Sequence, residues 1–134
     1  MLLTINNYGL KEIEMRTVFL HCVVMLFFSL NTQAATKSPV VEQFITGVKV
    51  KSNVAAFILE DYHHRMTTTC RYEPGVNEFK RFIIYSEYYV DLLAFLTLVG
   101  DENQYKRALD SIPCAHGKYL MKLPISDKHK KLFR

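Results

Sequence analysis

Once a leader is set aside, this chain keeps two cysteines, and that pair limits what it can fold into more than any other feature. Arg16 gives a basic start, Val18 to Leu30 is an apolar run of thirteen residues, and Thr32-Gln33-Ala34 puts small residues where a signal peptidase reads. Cleavage after Ala34 discards Cys22 and leaves Cys70 and Cys114 in about one hundred residues, Ala35 to Arg134. An even pair in an exported, periplasmic or secreted chain is expected as one disulfide. Closing a separation of 44 residues contributes about 4 kcal/mol in the chain-entropy model, a large share of a small domain's stability.

A retained anchor is the competing reading of the leader, but a span needs about 20 apolar residues. Extending the run past Leu30 brings in Asn31, Thr32 and Gln33, so cleavage is expected and with it no stable membrane span. Lys11, Glu12 and Glu14 precede the run, an unusual composition for the start of a signal. The expected first residue is therefore Met15, and residues 1–34 are upstream sequence plus signal peptide.

The mature part carries fifteen Lys and Arg against eleven Asp and Glu. The excess is concentrated in residues 118–134, where six basic residues meet only Asp127, so a helical domain over 35–117 is followed by a basic C-terminal tail. Such a tail suits an acidic protein or an anionic lipid, and export argues against nucleic acid.

The periodicity is helical throughout, and the expected fold is all-α, a small bundle of four to five helices tied by one disulfide. Ser38-Pro39 is an N-cap followed by proline at the first helical position. Val41, Phe44, Ile45 and Val48, then Val54, Phe57, Ile58 and Tyr62, recur at helical spacing, as one helix to about Met66 or two broken near Ser52. Thr67 to Thr69 end this segment, and Cys70 to Val76 is a loop with Pro-Gly at its turn. Asn77 is the expected cap of a long central helix from Glu78 to Leu98, with Phe79, Phe82, Ile83, Val90, Leu93 and Leu96 on one face. Gly100 ends it, Asp101 caps a short helix to about Ser111, and Pro113 stops that one before Cys114. Tyr119, Leu120 and Leu123 offer packing residues after Gly117, and Ser126 to Arg134 reads as one more short basic helix.

Few residues suggest chemistry. Glu60 and His64 share a helix face at i and i+4 and His116 is a distant third metal ligand, but His63 and His64 read better as a solvent-facing polar stripe. A thiol nucleophile needs Cys70 or Cys114 reduced beside His116, which export disfavours. No Gly-x-Ser-x-Gly, His-Glu-x-x-His or phosphate-binding glycine loop occurs. No cofactor and no catalytic residue is expected. Tyr85, Tyr88 and Tyr89 read as core or rim more readily than as interface.

Three segments then point to a family. Phe44-Ile45-Thr46-Gly47-Val48, Cys70 with Pro74-Gly75-Val76, and Ala108-Leu109-Asp110-Ser111-Ile112-Pro113-Cys114 resemble, in order and spacing, segments of the periplasmic immunity proteins that neutralise type VI secreted amidase effectors, the Rap and Tai type. The resemblance implies a small, non-catalytic, often dimeric helical protein whose protruding loop fills the active-site cleft of a peptidoglycan amidase. In this chain the candidate partner-binding residues are Arg71, Tyr72, Glu73, Pro74 and Asn77, a polar loop stiffened by proline and anchored at Cys70. The alternative is a periplasmic accessory or chaperone-like protein acting through apolar surface and the basic tail.

Overall fold

Ser38 begins the first helix as expected: its hydroxyl accepts the N–H of Val41 and Pro39 takes the first helical position, giving α1 over Pro39–Lys51. A computed structural model describes residues 36–134 of the chain. The export signal, the start at Met15 and Cys22 lie outside the described residues.

The two-helix option holds at Ser52. Its extended backbone breaks the helix, and its hydroxyl accepts the N–H of Ala55 to start α2, Asn53–Thr68. Ile58, Leu59, Tyr62 and Met66 are wholly buried along α2, each contributing about 1.5–3 kcal/mol relative to an exposed side chain. The central position expected for the segment after Cys70 thus belongs to α2.

That later segment is not one helix. It starts two residues earlier than expected, with Gly75 rather than Asn77 at the cap position, and gives α3, Val76–Tyr85. At Ser86 the backbone is extended and the axis turns by 71° into α4, Glu87–Ala94, which continues through a wider π turn, Phe95–Val99. The bend sends Phe79 and Phe82 of α3 and Tyr89 and Leu92 of α4 into one core from two directions, and leaves Val90 exposed rather than on the packed face. Tyr85 lies at the rim and Tyr88 is half-buried. No single helix among the described residues is long and apolar enough to cross a membrane.

Gly100 adopts a positive φ of 67° and ends the π turn, which glycine does without steric cost. Asp101 accepts the N–H groups of Asn103 and Gln104 to cap α5, Glu102–Ser111. Two further helices follow, α6 (His116–Met121) and α7 (Asp127–Lys130), then a 3-10 turn at Lys131–Phe133. The described residues therefore hold seven α-helices and no strand, all-α as expected but with more helices than the four to five anticipated. The surplus over five comes from the bend at Ser86 and the short α6, while α7 falls within the basic helix expected over Ser126 to Arg134.

By its contacts Lys37–Arg134 is one unit. α1 packs on α2, α6 on α3 and α5 on α4, and Tyr62 stacks on Phe82 with centroids 4.1 Å apart. Residues 118–134 run back over this body: Leu120 is buried, Arg81 Nε donates to the Leu123 carbonyl at 2.8 Å, and Phe133 lies 6.0 Å from Phe44. The basic side chains of this stretch face outward, on a segment that is itself packed.

Candidate protein-binding site

The loop between α2 and α3 is held from four sides. Thr67 and Thr68 turn their hydroxyls back onto the carbonyls of His63 and His64 as α2 finishes, a pattern that loosens a helix end. The Tyr72 N–H then returns to the Met66 carbonyl at 3.2 Å. Between them Arg71 has φ 61°, the left-handed region that costs a non-glycine residue about 1–2 kcal/mol. The expected disulfide joins Cys70 to Cys114, with Cα atoms 5.3 Å apart, so the loop is pinned to the start of α6.

Glu73 provides the second tie. Its carboxylate accepts the Ser38 backbone N–H at 2.6 Å, and that bond holds its carboxyl below the usual range. The same oxygen stands 3.5 Å from Nε2 of His63, a buried atom with no hydrogen-bond partner among the described residues. His63 therefore corrects the expected solvent-facing stripe: only His64 is exposed, because α2 packs neighbours on both sides and draws the His63 face inward. Glu60 pairs with Lys37.

Glu78 provides the third. It is buried at the third residue of α3, where the helix dipole favours an anion. Its Oε1 accepts both the Tyr62 hydroxyl at 2.6 Å and the Tyr72 hydroxyl at 2.7 Å. Burial first, then Glu78 through its charge and its hydrogen bonds, pushes both phenols well above their ordinary range, so they stay protonated as donors. Gly117 closes the group from α6, its backbone lying directly against Glu78 and Tyr72.

The fourth tie is Pro74, fully buried beneath the loop. Of the five candidate residues, Arg71, Glu73 and Asn77 are exposed and Tyr72 is half-buried, while Pro74 shapes the loop from below and presents nothing outward. Asn77 uses its carbonyl to hold Arg81 at 3.0 Å.

The chemical alternatives resolve differently. Cys70 and Cys114 are bonded to one another, so neither is a thiol. His116 faces Ser86, with Nε2 2.8 Å from Oγ, and its ring lies edge-on to Tyr88 at 4.9 Å. Ser86 is only 2 % exposed, so this pair fastens the bend between α3 and α4 and presents no reachable nucleophile. Burial holds the His116 imidazole below its ordinary range, with Glu87 pulling the other way. Among the described residues no three His, Cys, Asp or Glu side chains are grouped to hold a metal ion.

Glu78, Gly117 and Met121 were not singled out from sequence, and Lys118 and Lys122 only as part of the basic tail, yet they border the loop. An acidic residue three positions after Pro-Gly was the available signal for Glu78; its burial depends on tyrosines from α2 and the loop. No family model, no curated protein and no solved structure matches this chain.

Proposed function

We propose that this chain is an exported, non-catalytic interaction protein, an immunity protein that occludes the active site of a peptidoglycan amidase effector. The observation that supports the reading is the preorganisation of the loop Cys70–Gly75: a disulfide, a buried proline, the Glu73–Ser38 bond and the Tyr62–Glu78–Tyr72 group fix a polar loop whose Arg71 and Glu73 remain exposed. A loop ordered before binding loses less entropy when it docks. Order of this kind is costly to keep in a loop without a task, since Arg71 occupies a strained conformation.

The test is expression of the chain with its own leader in cells whose periplasm receives candidate amidases. Rescue from lysis, together with a stable complex on gel filtration that also reports any homodimer, is the expected outcome. Persistent lysis with every amidase and no complex would remove the reading.

An accessory role draws on a different observation. The π turn leaves Leu98 and Val99 exposed, and Val90 on α4 is exposed as well, and apolar surface of this kind serves holdases. Suppression of aggregation of an unfolded periplasmic protein, lost in Leu98→Ser, distinguishes that role from amidase inhibition.

A further inference from the structure

We infer that the loop and α6 together form a two-groove docking face that receives an acidic segment of a partner protein carrying an apolar anchor. This rests on the reading of the chain as an interaction protein and names the chemistry of what it binds.

Two hollows flank the loop. One, of about 820 Å³, is lined by Cys70, Tyr72, Cys114, Lys118 and Lys122 among others. The second, of about 340 Å³, is lined by Ser38, Val40, Val76 and Asn77. Met121 and Glu78 line both, so Met121 is shared between the two hollows, its sulfur 3.9 Å from Arg81 Nη1. Met121 is 46 % exposed and Val40 67 %, an apolar surface that an incoming side chain would cover. Methionine suits such a shared position because its unbranched, polarisable chain adapts to what it meets.

The charge of the face is one-sided. Lys118 and Lys122, which line the larger hollow, and Arg71, next in the chain to its Cys70 and Tyr72, are exposed and make no side-chain hydrogen bond or ion pair among the described residues. The two carboxylates present are already engaged: Glu78 is buried under two tyrosine hydroxyls, and Glu73 accepts the Ser38 N–H and faces His63. Arg81 is spent on the carbonyls of Asn77 and Leu123. What remains unanswered is positive, and an acidic segment answers it while gaining speed of encounter. The concavity decides between protein and membrane. A planar bilayer cannot enter two hollows, and the cations most suited to a lipid surface, Lys128, Lys130 and Lys131, line neither.

The probe is a short peptide of alternating glutamate and leucine, titrated by amide chemical shifts into the isotopically labelled protein, expressed with its leader and recovered from the periplasm. Controls are a lysine–leucine peptide, a glutamate–serine peptide and phosphatidylglycerol vesicles. The expected result is shifts at Cys70–Asn77 and Gly117–Lys122 with the glutamate–leucine peptide alone. Binding should weaken about tenfold in Lys118→Glu/Lys122→Glu, the order expected for reversing two contact charges, and also in Met121→Ser. Both positions are exposed, and unchanged shifts elsewhere in the variants report that the fold is kept. No binding, equal binding of the lysine peptide, vesicle binding without peptide binding, or shifts confined to Asp127–Arg134 would each overturn the inference. Failure here is separable from failure of the immunity reading. An amidase inhibited equally well by the native chain and by Lys118→Glu/Lys122→Glu removes the face and leaves immunity. Peptide binding in the grooves without inhibition of any amidase does the reverse.

Discussion

Gly117 of α6 packs so closely on Glu78 of α3 that a β-carbon there would fall 2.7 Å from the Glu78 Cδ and 2.5 Å from the Tyr72 hydroxyl. A glutamate end would ordinarily swing aside. This one is buried and fastened by Tyr62 and Tyr72, so yielding means losing charge-assisted hydrogen bonds. Gly117→Ala should therefore cost about 1–3 kcal/mol, the range for overpacking a filled site. Gly47→Ala, on an exposed part of α1 with nothing within 4 Å, should gain about 0.5–1 kcal/mol through helix propensity. Urea unfolding of the two variants beside the native chain checks both signs; a Gly117→Ala midpoint equal to the native one contradicts the close packing.

Replacing Cys70 and Cys114 together by serine should lower stability by about 4 kcal/mol, because the bridge closes a loop of 44 residues. The measurement is the unfolding midpoint of the double variant against the oxidised native protein. Amide exchange adds a local readout, with Arg71 to Gly75 exchanging faster in the variant. An unchanged midpoint would mean that helix packing alone holds the loop.

Alkaline conditions should unfold the protein through its tyrosines. Tyr62 and Tyr72 are held protonated by burial and by Glu78, and Tyr105 by burial and by Asp61, whose carboxylate lies 2.7 Å from its hydroxyl. In the unfolded chain these phenols ionise near pH 10. Their folded values are raised, so the stability they confer is complete below about pH 10 and declines as pH rises beyond it. The urea midpoint should fall between about pH 9 and about pH 11, and the fall should be shallower in Tyr105→Phe. Ionisation of Tyr62, Tyr72 or Tyr105 well before unfolding, read residue by residue from ring-carbon chemical shifts, would show that these hydroxyls are not held.

Mild acid should act through His116. Burial depresses its folded value, whereas in the unfolded chain it takes its proton near pH 6.5. That contribution to stability is present above about pH 6.5 and is lost as pH falls through the folded value. Ser86, Glu87, Tyr88, Phe82 and Tyr119 face the ring. Glu73, also held low, loses its contribution only below about pH 4.5, so the two windows are distinct. Lowering the pH from about 7.5 to about 5.5 should reduce the urea midpoint of the native chain more than that of His116→Gln. Parallel curves would assign the loss to other groups.

The sequence carried the parts of this fold that are locally encoded. Ser38-Pro39, Gly100 and Asp101 each mark a boundary with their own side chain or backbone freedom, and all three stand where they were expected. The bend at Ser86 was not legible, because an isolated serine inside an apolar pattern has no breaking chemistry of its own. What stabilises it is His116, thirty residues further on. The loop was legible as a loop, from Pro-Gly beside a cysteine, but not the orientation of its residues. Pro74 turned inward and His63 rose into the core because helices distant in sequence close over them. Glu78 shows the same limit: a carboxylate is read as surface until two tyrosine hydroxyls are found above it.

The break between α3 and α4 bears on how this sequence can change. In a straight helix one inserted residue rotates everything beyond it by about 100° and turns a buried stripe toward water. Here the extended backbone at Ser86 resets the phase, so the inward faces of Phe79 and Phe82 and of Tyr89 and Leu92 are set independently. Insertions or deletions near the start of α3, beside the loop, need not disturb the register of α4. The loop end of the molecule is thereby free to vary in length while the far half of the bundle keeps its alignment.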